Sequence, residues 1–179
     1  MIDPAVGALM AGAFALLFAS ASLHKFLDLR GFSEVFEAYR LVPQALARTA
    51  VLVPLLELLI GLGLLAGAAR AGAAAAGAVL LIGYGGAVAL NLARGRRDLT
   101  CGCGGPNDKR PIAAWMVWRN LALALPLLIV GLPWDARPLT ASDGLTIGAG
   151  TAVAALLYMS LDTLLGRVAP RAALMRGSP

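Results

Sequence analysis

Five apolar runs, each long enough to cross a bilayer as a helix, dominate this chain and leave little room for any other architecture. Crossing the hydrocarbon core takes about 20 apolar residues in an α-helix. The runs at about 4–23, 50–69, 71–93, 112–132 and 144–165 meet that length. Only 14% of the residues are charged and mean hydropathy is +0.79, whereas a soluble domain carries roughly a quarter charged residues. Gly, abundant in these runs, lets packed membrane helices approach closely. The pattern predicts an all-α integral membrane protein: a single domain over 1–179, built as a bundle of four to five transmembrane helices. Only Arg70 and its neighbours separate the second and third runs, which predicts a tight antiparallel hairpin. Pro126 sits inside the fourth, where a kink is expected.

The first run ends near Ala19-Ser20-Ala21, a small-residue sequence of the kind signal peptidases cut. Met1 to Pro4 contains no Lys or Arg, however, and the run exceeds a signal core in length, so the helix is expected to be retained.

Charge gives the bundle a direction. Five spans put the loops at 25–48 and 94–110 and the C-terminal tail on one face, and twelve of the 15 Lys and Arg residues lie there. The opposite face has only Arg70 and Arg137, and Arg119 lies within a span. Positive loops stay inside, so the N-terminus is expected outside and both large loops and the C-terminus in the cytoplasm of a bacterial inner-membrane protein. The net charge of +5 is thus an orientation signal rather than a nucleic-acid-binding surface.

The first large loop carries Phe26, Leu29, Phe32, Phe36 and Tyr39 at helical spacing, with Lys25, Asp28, Glu34, Glu37 and Arg40 mostly on other sides. This predicts an amphipathic helix, lying either along the membrane interface or against its own bundle.

Ionisable groups inside spans are costly and rarely idle. Here they are Glu57, Arg119 and Asp162, joined by Asn91, Asn120 and, at the end of the first span, His24. All six fall in the half of the bilayer nearer the basic face. Glu57 and Arg119 lie at similar depth, about two turns in, and are expected to pair, whether as part of a site or only as a lock between helices. Asp162, near a span end, is positioned to face the headgroups, and His24 beside Lys25 to sit at the interface.

The most specific chemical feature is Thr100-Cys101-Gly102-Cys103-Gly104-Gly105-Pro106, which holds both cysteines of the chain. A Cys-x-Cys pair closes a disulfide only through a tight turn, which Gly102, Gly104 and Gly105 permit. Such a bridge is easily reduced, suiting exchange rather than stapling. Arg96, Arg97, Lys109 and Arg110 favour the thiolate. Metal handling is a competing use of two thiolates, but a closed zinc site takes four ligands, and no metal centre is assigned. A third reading gives the cysteines no redox role.

The order Cys101-Gly102-Cys103-Gly104-Gly105, Ile112, Trp115 and Arg119-Asn120 resembles the MauE family of methylamine utilisation membrane proteins. His24-Lys25-Phe26, Phe32, Phe36, Tyr39 and Leu41-Val42-Pro43 look like the start of the related DoxX-like proteins. Gly104 departs from the bulky aromatic residue often found after the second cysteine. The resemblance implies a redox-associated accessory factor, of the kind needed to mature the disulfide-rich small subunit of a periplasmic methylamine dehydrogenase. It also implies a thioredoxin-like partner of the MauD type. On this reading Cys101 and Cys103 are the redox pair, supported by His24, Glu57, Asn91, Arg119 and Asn120, in a component of an exchange chain rather than a stand-alone enzyme. A non-catalytic scaffold and a DoxX-like subunit binding a quinone or another small solute are the alternatives. No cofactor is evident in the residues themselves, and a quinone enters only through the resemblance.

Overall fold

The computed structural model describes residues 2–43, 49–102 and 110–176, with side chains as far as Gly166. Cys103, within 103–109, lies outside the described residues. The fold is all-helical, as expected of a helical membrane protein: α1 (Pro4–Leu27), α2 (Leu29–Ala38), α3 (Leu52–Leu65), α4 (Arg70–Ala93), α5 (Ala114–Val130) and α6 (Ala141–Arg176).

Local chemistry sets the helix ends. Asp3 caps α1, its carboxylate accepting from the Ala5 N–H at 2.8 Å, and Pro4 fills the first turn, where no amide donor is needed. Asp28 closes α1 and opens α2: its N–H donates to the His24 carbonyl while its carboxylate accepts from the Gly31 N–H at 3.0 Å. The predicted amphipathic helix is therefore present as α2. Its aromatic side lies over the bundle, with Arg30, Glu34 and Glu37 exposed.

Helix length departs from expectation for two spans. α1, α4 and the Ala141–Gly166 part of α6 are long and apolar enough to cross a membrane. By contrast, α3 and α5 have 14 and 17 residues, a rise of about 21 and 26 Å. The second run stops at Leu65 rather than 69, because Ala66 turns extended. The fourth begins at Ala114 rather than 112, because Ala113 is extended, and then continues through Pro126. At the other extreme α6 has 36 residues, a rise of about 54 Å.

α4 packs along both α5 and α3, α3 along α1, and α1 reaches α5, which closes a four-helix bundle. α6 lies outside it against α1, and none of its residues from 141 to 165 is buried. Small residues set the spacing in the half away from the basic face. A Cβ on Gly77 would stand 2.8 to 3.1 Å from side-chain atoms of Leu127, Ile60 and Phe18, and one on Gly61 would stand 3.2 Å from the Ala15 carbonyl. Phe18, Ile60, Leu64, Leu81, Leu127 and Val130 fill the space between.

The far end is closed by polar contacts at its edge. Ile2 pairs with the 133–135 segment, and Arg137 binds both Asp3 and Asp143. The Arg70 guanidinium lies 3.4 Å from the Trp134 ring centre, and Trp134 in turn packs on Gly7. Hydrogen bonding to Arg137 holds the Asp3 carboxyl below its ordinary range, and the carboxylates of Asp143 and Asp3 push the Arg137 guanidinium up.

Candidate functional site

Depth along the helices places the polar side chains together. Ser22 and Lys25 continue the buried stripe of α1 that runs through Ala11, Phe14, Ala15 and Phe18, one step every three or four residues. Lys25 therefore points into the bundle, not outward as its place beside the amphipathic loop suggested. It is 4% exposed, and its Nζ lies 2.6 and 2.8 Å from the two carboxylate oxygens of Glu57, which is 1% exposed. The Tyr84 hydroxyl donates to the same carboxylate at 2.7 Å. The Phe32 and Tyr84 rings stand 5.5 and 5.6 Å from the ammonium. A carboxylate at this depth is tolerable only when so surrounded.

The expected Glu57–Arg119 pairing is thus incorrect. Glu57 faces α1 and α4, while Arg119 forms an ion pair with Asp162 of α6. Arg110, just after the cysteine loop, binds the same carboxylate at 2.8 Å and donates to the Asp162 carbonyl at 3.0 Å. Asp162 does not face the headgroups, because two guanidinium groups hold it against the bundle. Arg119 also stands 5.3 Å from the Trp115 ring centre.

Asn91 and Asn120 divide in role. Asn91 pins the end of α2: it donates to the Tyr39 carbonyl at 3.3 Å and accepts from Arg96, which reaches the Ala38 carbonyl at 2.7 Å. Asn120 donates to the Met116 carbonyl of its own helix and faces a cavity. His24 is exposed on a different face of α1 from Lys25.

In this half, described residues line a smaller and a larger cavity. The smaller, about 270 Å³, lies beneath α2 and is lined by Lys25, Phe32, Tyr39, Tyr84 and Asn120. The larger, about 550 Å³, lies between α1, α5 and α6 and is lined by His24, Arg110, Arg119, Asp162 and Tyr158 above a floor of Phe14, Leu17 and Leu123. Cys101, half-buried, lines both. Its loop is held by the Ile112 N–H donating to the Leu99 carbonyl at 2.8 Å and by the pairing of Thr100 with Pro111. Gly102 adopts φ +69°, a left-handed conformation, with Val35 of α2 directly over it. Among the described residues no three His, Cys, Asp or Glu side chains gather as a metal-binding group.

Sequence reasoning missed Lys25, Tyr84 and Asp162 as partners. The signal for Lys25 was present, since extending the first apolar run by one turn keeps it on the buried stripe. No comparable pattern marked Tyr84 or the choice between Glu57 and Asp162 as the partner of Arg119.

The chain matches the family model described as methylamine utilisation protein MauE over residues 3–135, which takes in α1 to α5. It is 37% identical over 162 residues to the methylamine utilization protein MauE of Paracoccus denitrificans, a match covering 89% of this chain and 87% of that protein. The MauE proteins of Methylophilus methylotrophus and Methylorubrum extorquens are 33% and 34% identical, covering 92% and 89% of this chain and 88% and 85% of theirs. No solved structure matches it. With the family model matched across the whole four-helix bundle and relatives aligned over most of their length, the chain belongs to the MauE family.

Proposed function

We propose that this chain is a membrane accessory protein of methylamine utilisation, and that Cys101 and Cys103 exchange electrons with a thioredoxin-like partner while a disulfide-rich client subunit matures. The relatives' shared name supports the pathway. The observation that carries the chemistry is the position of Cys101, on the lining of two cavities, the larger of which Arg110 also lines, in a loop turned by a left-handed Gly102. Guanidinium groups nearby stabilise a thiolate, and the thiolate is the attacking species.

In exchange, one thiolate of the pair attacks a sulfur of the partner's disulfide and expels the other sulfur, leaving a mixed disulfide. The second thiolate then attacks the first sulfur, releasing the partner as a dithiol and leaving Cys101 and Cys103 joined. Two electrons pass to the partner, and the reverse sequence returns them. Loop charge supports an orientation with this loop and the C-terminus in the cytoplasm and the N-terminus outside, so that for a periplasmic client the pair relays reducing equivalents across the membrane.

Two measurements test the reading. Cys101→Ser and Cys103→Ser are each expected to abolish client maturation, and one of them to trap a mixed disulfide with the partner. Full maturation in the double variant would instead leave the chain a scaffold. Labelling with an impermeant maleimide is expected to require opened membranes, and labelling in intact cells would reverse the orientation.

A further inference from the structure

The smaller cavity is bordered by two polar groups that the described residues do not use up. An ammonium carries three N–H bonds, and Lys25 gives two of them to the Glu57 carboxylate. Among the described residues the third has no acceptor, and Lys25 lines the cavity. Asn120, 3% exposed, donates to the Met116 carbonyl, while its carboxamide oxygen accepts from no described group. It lines this cavity and not the larger one. A polar group left buried without a partner is costly, so both call for one.

The rest of the wall limits what that partner is. Phe32, Val35, Phe36, Val42, Leu80 and Val88 make it apolar. Lys25 and Glu57 cancel in charge, so a charged ligand would be enclosed with no counter-ion of its own. Asn120 asks for a donor and Lys25 for an acceptor, and one hydroxyl group supplies both. The two border the same stretch of α4. Lys25 stands 5.6 Å from the Tyr84 ring centre, and the Asn120 Cβ 3.6 Å from where a Cβ on Gly85 would be. An apolar cavity of about 150 Å³ takes one benzene, so a volume of about 270 Å³ holds about ten carbons.

The way in is from the bilayer. Gly83 and Leu41, both on the lining, are exposed, and a Cβ on Gly83 would meet nothing within 4 Å. On α4 Gly83 shares its outward side with Gly86 and with Val79, which is 70% exposed. It lies ten residues before Ala93, about 15 Å along the helix from the basic end, at the depth of acyl chains rather than water. We infer that the smaller cavity binds a neutral long-chain alcohol of the membrane. The hydroxyl accepts from Lys25 and donates to Asn120, the first carbons lie beneath α2, and the tail leaves past Gly83 into the lipid. This site needs neither cysteine and stands apart from the exchange reading.

The test uses the full-length protein in nanodiscs and a diazirine analogue of 1-octanol, which attaches where it is bound on illumination. Saturable labelling of α2 and of the α4 segment around Tyr84 is expected, and excess 1-decanol is expected to prevent it. Decane, which lacks the hydroxyl, and decanoate, which adds charge, are expected to protect far less. Asn120→Leu is expected to weaken labelling about fivefold, and Ala87→Phe, which fills the cavity, about tenfold. Gly83→Trp places its side chain where the fold leaves space and obstructs the mouth, so it serves in place of Ala87→Phe should that variant fail to fold. Labelling that does not saturate, or that spreads evenly over the lipid-facing side chains of every helix, overturns the inference. Equal protection by decane overturns it too, since the hydroxyl would then count for nothing. So does undiminished labelling in folded Asn120→Leu and Gly83→Trp proteins.

Discussion

The two halves of the bundle are held together by different means. Away from the basic face the helices meet through glycine, alanine and close-fitting Phe and Leu side chains, and charge appears only at the very edge, where Arg137 ties Asp3 to Asp143. Toward the basic face packing gives way to cavities, and Lys25–Glu57 and Arg119–Asp162 link helices across them. Where a half must only be stable, apolar contacts suffice and leave no space. Where the polar side chains gather, space is left, and the groups lining it hold the walls in place.

The largest test of that contrast removes one buried charge. Glu57→Leu leaves Lys25 buried without its carboxylate, with an expected loss of about 3–5 kcal/mol, read as a lower unfolding temperature in detergent. Lys25→Met with Glu57→Leu is expected to recover most of it. Equal loss in the double variant would mean that the pair acts through shape, erasing the distinction between the halves. In the opposite half, Gly77→Val drives a side chain toward Leu127, Ile60 and Phe18, and overpacking of this kind costs about 1–3 kcal/mol. A neutral result there would show that the apolar half has slack.

A smaller effect is expected from Asp162→Asn. It weakens the hold of two arginines on α6, at about 1.5 kcal/mol for a hydrogen bond to a charged group, in the same unfolding assay. The smallest concerns pH at the far edge. Asp3 is held below its ordinary value of 3.8 by hydrogen bonding to Arg137. Its contribution is therefore complete above that value and is lost as pH falls through the lowered one. Arg137→Gln should remove this acid sensitivity, and persistence of the sensitivity would trace it to another carboxylate.

The helices, their order and the crowding of polar residues toward one face were legible in the sequence, because apolar runs and depth along a helix are properties of a single segment. Pairing was not. Glu57, Arg119 and Asp162 all lie at compatible depths, and which of them meet depends on the rotation of each helix about its axis. That rotation is fixed by contacts such as Gly61 on Ala15 and Gly77 on Phe18. Lys25 was hidden for a different reason. It follows the last strongly apolar stretch of α1, and a lysine at a span end ordinarily reaches for water. Here Glu57 and Tyr84 wait on the inner side.

The short α3 and α5 act on the lipid as much as on the protein. Hydrocarbon about 30 Å thick faces helices rising about 26 Å each, since a 3₁₀ turn at 49–51 extends α3 to Thr49–Leu65. The acyl chains beside them must compress, at a fraction of a kcal/mol for each ångström of mismatch. Thinner bilayers meet this side of the molecule with less distortion. Membrane thickness therefore becomes a variable that bears on this protein's stability and on where in a membrane it collects, apart from any side chain it carries.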